Sequence, residues 1–129
     1  MSNQENTLKI TIPYNSVTKK NHNQMVMVKG RLIVIPSKPY KEYEKKAKEY
    51  MPTMEKPIDY PINLKVNYFM ETKRKCDLTN LLQATCDILV KYGVIEDDNY
   101  TIVSSLNGCS VEYDKENPRC EIEIKKLDI

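Results

Sequence analysis

The segment Ile62 to Met70 reads Ile-Asn-Leu-Lys-Val-Asn-Tyr-Phe-Met. Ile62, Leu64, Val66, Tyr68 and Met70 fall on one side of it, which is the period of a half-buried strand. Such a strand needs an amphipathic partner over its apolar face, and the sequence supplies one shortly after it. Between Asp77 and Tyr92, the residues Leu78, Leu81, Leu82, Thr85, Ile88 and Leu89 form one stripe at helical spacing. Asp77 is placed to cap that helix and Gly93 to stop it. Leu8 to Ile12 alternates as a strand and ends at Pro13. Met25 to Val28 and Arg31 to Ile35 flank Lys29-Gly30 as a hairpin. Ser37, followed by Lys38-Pro39, starts a helix that runs roughly to Tyr50 with Tyr40, Tyr43 and Ala47 on its apolar face. Pro52, Pro57 and Pro61 mark a loop. After the acidic turn Glu96-Asp97-Asp98-Asn99, Tyr100 to Leu106 reads as a short strand. Asn107-Gly108 then reads as a hairpin turn, Val111 to Tyr113 as the start of a return strand, and Glu121 to Lys125 as a last strand. Helices and strands interleave without a regular βαβ series. The expected fold is α+β, a two-layer sandwich of a mixed β-sheet with two main helices packed on it. A single domain is expected over 1–129, with 1–6 as a flexible tail.

Several function classes fall away on composition. No stretch approaches the ~18 apolar residues of a membrane span. The start, Met1-Ser-Asn-Gln-Glu-Asn-Thr7, has neither the positive nor the apolar region of a secretory signal, so a cytoplasmic protein is expected. Cysteines at 76, 86, 109 and 120 lack the paired spacing of zinc sites, and His22 is the one histidine. Reduced, mostly buried thiols are the plain reading. The formal net charge of +2 is too small to name a partner. The placement of the charges is more informative.

On the second helix, Asp77, Asn80, Gln83, Ala84, Asp87 and Lys91 share a face apart from the apolar stripe. The basic run Lys73-Arg74-Lys75 precedes it, and Asp97-Asp98 follows it. Spacing alone leaves open whether either of these last carboxylates meets Asp77. Clustered carboxylates without a histidine suit a hard ion such as Mg²⁺ or Mn²⁺. Such an ion activates water and stabilises charge on a phosphoryl oxygen, while neighbouring cations hold a phosphate backbone. Each member also has a plainer reading. Asp77 can simply cap the helix, Asp87 can be a solvated helix residue, Asp97-Asp98 an acidic turn and Lys73-Arg74-Lys75 a surface run. The combination is what points to chemistry.

This pattern resembles the RusA family of Holliday junction resolvases, in its bacterial and prophage branch. The resembling core is Lys75-Cys-Asp77-Leu-Thr-Asn80-Leu-Leu-Gln-Ala-Thr-Cys-Asp87-Ile-Leu89, followed by Gly93-Val-Ile-Glu-Asp97-Asp98. Pro13 with Lys19-Lys20-Asn21, Ile35-Pro36-Ser37 with Tyr40 and Tyr43, and Tyr113 to Arg119 resemble the family more loosely. The resemblance implies a metal-dependent endonuclease that acts as a homodimer on branched DNA. By position, Asp77 and Asp98 match metal-ligating aspartates. Asp87 and Asp97 match acidic positions nearby, and Asn80 matches the family's asparagine. Two positions depart from the pattern. Thr79 stands where the family has a second aspartate, and Gln83 where it has a lysine.

The resulting expectation is a Mg²⁺- or Mn²⁺-dependent endodeoxyribonuclease. Asp77, Asp98 and Asp87 would serve catalysis, and Asp77, Asp98 and Asp97 would hold the metal. Lys19, Lys20, Asn21, Lys73, Arg74, Lys75 and Asn80 would contact a four-way junction. The hairpin from Met25 to Ile35 offers a dimer surface. The alternative is a catalytically weak, structure-selective DNA-binding homodimer, motivated by Thr79 and Gln83. A protein-interaction domain with no nucleic-acid role is a third reading, motivated by the near-neutral charge.

Overall fold

The computed structural model describes residues 7–19, 24–35 and 38–128. Its strands are β1 (Thr7–Ile12), β2 (Gln24–Val28), β3 (Arg31–Ile35), β4 (Ile62–Met70), β5 (Val103–Ser105), β6 (Ser110–Tyr113) and β7 (Arg119–Lys126). The helices are α1 (Lys38–Ala47) and α2 (Leu78–Lys91). The expected Ser37 cap lies outside the described residues. The first helix is shorter than its periodicity predicts, because Lys48–Tyr50 tightens into a 3₁₀ turn before the chain extends at Met51.

The architecture is α+β, a two-layer sandwich. The main sheet is ordered β1-β7-β4, with β5 and β6 both on the far edge of β4. β7 is antiparallel to β1 and to β4, whereas β5 and β6 run parallel to β4. The alternation read from β4 is the one observed: Ile62, Leu64, Val66 and Tyr68 are fully buried. Ile10 and Ile12 from β1 and Cys120, Ile122 and Ile124 from β7 extend the same layer. Tyr43 and Ala47 from α1 and Leu81, Leu82, Ile88 and Leu89 from α2 join that core. At the centre, the Tyr68 hydroxyl lies 2.6 Å from Thr85 Oγ1, which itself donates to the Leu81 carbonyl. This polar bridge fixes the register of α2 on β4, since a buried hydroxyl must find a partner.

The reading of Asn107-Gly108 as a hairpin turn is not borne out. β5 and β6 do not pair with each other; they are successive pieces along one edge. The cause lies in the polar side chains of β4. Asn63 Nδ2 donates to the Asn107 carbonyl at 3.1 Å, and the Asn107 N–H donates to Asn63 Oδ1 at 2.9 Å. Asn67 Nδ2 donates to the Gly108 carbonyl at 2.9 Å. The turn is thus fastened flat against β4 and the chain continues rather than reverses. Val111 to Tyr113 therefore begins no return strand. Likewise Tyr100 to Ile102 is turn, because the N–H groups of Ile102 and Val103 both donate to the Asn99 carbonyl.

Cys109 fills the gap left between β5 and β6. Its Sγ accepts from the Val66 N–H and donates to the Leu64 carbonyl, both at 3.3 Å. Burial pushes this thiol up, against the pull of the Val66 N–H. Cys109→Ala leaves both backbone groups without their partner, and the expected loss is about 1–3 kcal/mol in urea unfolding. Cys109→Ser should recover most of it. Equal stability of the Ala and Ser variants would show that the thiol acts only by filling space. All four cysteines are free, with Cys86 and Cys120 buried.

Candidate active site

α2 carries the polar face on which the site is built. Its burial is wider than the stripe read from sequence, because Ala84 and Cys86 are buried as well. Ala84 therefore belongs to the packed side. Among the described residues of that face, Asn80 and Asp87 are half-buried, and Asp77, Gln83 and Lys91 are exposed.

Asp77 occupies the N-cap position in extended conformation, but its side chain makes no capping bond. Its backbone carbonyl accepts from Asn80 and Leu81, while its Oδ2 accepts from Asn80 Nδ2 at 3.2 Å. One pair of predicted residues is thus in direct contact. Ten residues of helical rise, about 15 Å, separate Asp77 from Asp87. These two carboxylates cannot share one ion.

The carboxylates that do converge are Asp87 and Asp98. Gln83 Nε2 donates to Asp87 Oδ1 at 3.0 Å and to Asp98 Oδ2 at 3.3 Å. Lys19 pairs with the other oxygen of Asp87 at 3.1 Å. The buried Cys86 thiol is pushed up to about 12, mainly by desolvation, with Asp98 and Asp87 adding to it. It is inert as a nucleophile or ligand at neutral pH.

Asp98 is delivered by the end of α2 and the loop behind it. Gly93 takes a left-handed φ of 73°. The N–H of Gly93 donates to Val90 and that of Val94 to Leu89, a Schellman stop. Ile58 then grips the loop on both sides: its N–H donates to Val94, and its carbonyl accepts from Glu96. Asp97 turns back into its own loop. Its Oδ1 accepts from the Asp98 N–H at 2.7 Å and its Oδ2 from Asn99 Nδ2 at 3.0 Å. These bonds, the backbone one first, hold the Asp97 carboxyl below the usual range. Asp97 consequently shapes the loop that presents Asp98.

These groups line an open cleft of about 560 Å³, bounded by Lys19, Asp87, Asp97, Asp98, Val90 and Lys91, with Tyr40, Lys41 and Glu44 contributed by α1. Lys91 closes onto Glu44, and the Tyr92 hydroxyl donates to the Glu44 carbonyl at 3.0 Å. The α1 residues were not foreseen. No local signal links Glu44 to Lys91 across the intervening chain, and the apolar face of α1 says that the helix packs but not against what.

The basic run divides. Lys73 Nζ lies 5.1 Å from the Tyr113 ring centroid. Arg74 and Lys75, both exposed, border a second hollow of about 320 Å³ with residues 15–18 and Thr72. Lys20 and Asn21 lie outside the described residues.

A family model described as endodeoxyribonuclease RusA matches residues 13–125. The chain belongs to the RusA family. A search of curated proteins returns no match. The matched span takes in every strand from β2 to β6, both helices and nearly all of β7, so the RusA assignment rests on the whole architecture. Within this RusA fold, the departures Thr79 and Gln83 occupy different settings. Thr79 is exposed in the first turn of α2. Gln83 holds the two converged carboxylates together.

Among the described residues, no group of three or more His, Cys, Asp or Glu is placed to hold a metal ion. Asp87 and Asp98 nevertheless form a two-carboxylate donor set. That suits Mg²⁺, which commonly takes one or two carboxylates and completes its shell with water and substrate phosphate. No described helix is long and apolar enough to cross a membrane.

Proposed function

We propose that this chain is a Mg²⁺- or Mn²⁺-dependent endodeoxyribonuclease that cuts Holliday junctions or related branched DNA as a homodimer. The convergence of Asp87 and Asp98 on Gln83, in a cleft edged by Lys19, Lys41 and Lys91, is the observation that supports it most. Asp87 and Asp98 would hold the ion, with the Gln83 amide able to turn its oxygen toward it. When bound, the ion would lower the pKa of a water and offset charge on the phosphate. Lys19 would trade its pairing with Asp87 for the phosphate backbone. Asp77 and Asn80, nearer the start of the same helix, would contact the DNA.

The test is a mobile four-way junction incubated with the protein and Mg²⁺ or Mn²⁺. Paired symmetric cuts are expected. An intact junction at high protein excess would overturn the reading. A second reading draws on Gln83 itself. An uncharged amide occupies the carboxylate oxygens and brings no cation toward the scissile phosphate. On that reading the chain binds junctions selectively without cutting them, and metal leaves binding unchanged.

Arg74 and Lys75 lie on an exposed rim, and among the described residues neither forms a salt bridge that would compete with DNA. Replacing both with Ala is expected to weaken junction binding and to lower the slope of log affinity against log salt by about 2. A filter-binding or fluorescence titration at several salt concentrations reads this. An unchanged slope would remove both residues from the interface.

A further inference from the structure

The second hollow is framed by the loop after β1, the end of β4 and the start of α2. Its volume of about 320 Å³ is at the small end of the ~300–1,000 Å³ range of ligand pockets, room for one nucleotide rather than a stretch of duplex. Val17, Met70, Cys76 and Leu81 give it apolar walls, and no aromatic ring lines it. Two polar groups on it are left with capacity to spare. Thr18 is only 7% exposed, and its hydroxyl has no hydrogen-bond partner among the described residues. Buried hydroxyls are normally paired, so one left open on a hollow points to a partner from outside the chain. Asn15 is fixed by its Oδ1, which accepts from the Glu71 N–H at 2.9 Å, while its Nδ2 donates to the Ser16 carbonyl at a long 3.4 Å. An amide nitrogen carries two donors, so one remains for a ligand. Arg74 and Lys75 stand exposed on the rim, against a single acid, Glu71.

We propose that this hollow receives one unpaired nucleotide of the bound DNA, its base between the apolar walls and its phosphate on Arg74 and Lys75. The inference rests on the branched-DNA reading above and adds a second place where the strand is held. Asn15 Nδ2 would donate to a carbonyl or ring nitrogen of the base, and the Thr18 hydroxyl would donate or accept according to the base it meets. Inorganic phosphate would meet the two cations but leave the apolar walls and Thr18 unused. The hollow also lies where a strand leaving the cleft would pass. Thr18 lines the hollow and the next residue, Lys19, lines the cleft. Along α2, Leu81 on the hollow and Asp87 on the cleft are separated by about 9 Å of helix. A stacked strand rises about 3.4 Å per nucleotide, so the hollow stands within about three nucleotides of the Asp87–Asp98 pair. A base inside a continuous duplex is held by stacking and pairing. At a branch point the stack is already interrupted, and extrusion costs least there.

The experiment titrates the full chain, in EDTA so that nothing is cut, into four-way junctions that carry 2-aminopurine at successive positions around the branch point. The fluorescence of this base rises when it leaves the stack, and no ring in the hollow would quench it. One position is expected to brighten several-fold, while the same base in plain duplex stays dark. Thr18→Val keeps the shape of the side chain and removes the hydroxyl. It is expected to weaken junction binding by about 3–10-fold and to dim the signal. The slope of affinity against salt should stay unchanged, since no charge is removed. Thr18→Ser should restore both readouts. Cys76→Phe, which fills the hollow, should abolish the brightening, with circular dichroism as the check on folding; Thr18→Val decides the matter if that variant is unfolded. Failure to bind the junction at all would overturn the branched-DNA reading together with this one. Tight junction binding with no bright position would overturn this one alone, as would brightening that survives both substitutions. Saturation by a free deoxynucleoside monophosphate, with no brightening on the junction, would make the hollow a nucleotide site unconnected with DNA and would also overturn it.

Discussion

Cleavage of a four-way junction is expected to fall by about 100-fold or more when Asp98 becomes Asn, because on the proposed mechanism the carboxylate that would hold the metal ion loses its charge. The melting temperature should barely move, since surface changes of this kind lie within about 0.5 kcal/mol. The two effects separate because Asp98 has little structural work in the loop. Asp97 and Asn99 supply the bonds that hold the turn, through the Asp98 N–H and the N–H of Thr101. The asparagine keeps the shape of Asp98 and can still meet Gln83 Nε2 with its carbonyl oxygen. It cannot supply the negative charge that a hard ion requires. Wild-type cutting by Asp98→Asn would take Asp98 out of the chemistry. A large drop in melting temperature would instead recast it as a structural residue.

Leu89→Ala should cost about 3–5 kcal/mol, the range for a leucine removed from a core that cannot collapse around the gap. For a chain of this size that corresponds to a fall in melting temperature on the order of 10–20 °C. Leu89 is fully buried against the sheet, and its carbonyl is the acceptor for Val94 in the stop of α2. The helix that presents Gln83 and Asp87 therefore rests on the same residue that anchors its end. Calorimetry gives the magnitude. A loss under about 1 kcal/mol would mean that neighbouring side chains close the cavity readily.

Much of this layout was legible before any coordinates. β4 and α2 were readable because each buries one face only, so the period of the side chains reports the element directly. The stop at Gly93 was readable because few other residues take its backbone conformation without strain. The edge of the sheet was not. Asn107-Gly108 has the local chemistry of a hairpin, and it was overruled by Asn63 and Asn67, more than 40 positions earlier. The same limit applied to the site. The aspartates stood out as a group, but which of them meet depends on where the loop after α2 is pinned. Asp87 and Asp98 come together, Asp77 stays with Asn80, and Asp97 is used up in its own turn. Glu44 and Lys41 reach the cleft only because α1 packs beside α2, a tertiary fact with no sequence-local trace.

The grip of Ile58 on residues 94–96 bears on which length changes the chain can survive. Surface connections generally absorb insertions and deletions with little penalty. This one works as a ruler between the end of α2 and Asp98. An added residue between Gly93 and Asp97 would either break the two backbone bonds to Ile58 or advance Asp98 by one strand step, about 3.3 Å. Either outcome separates it from Gln83. Related chains that keep the chemistry should therefore vary freely in the residues of this stretch and hardly at all in their number.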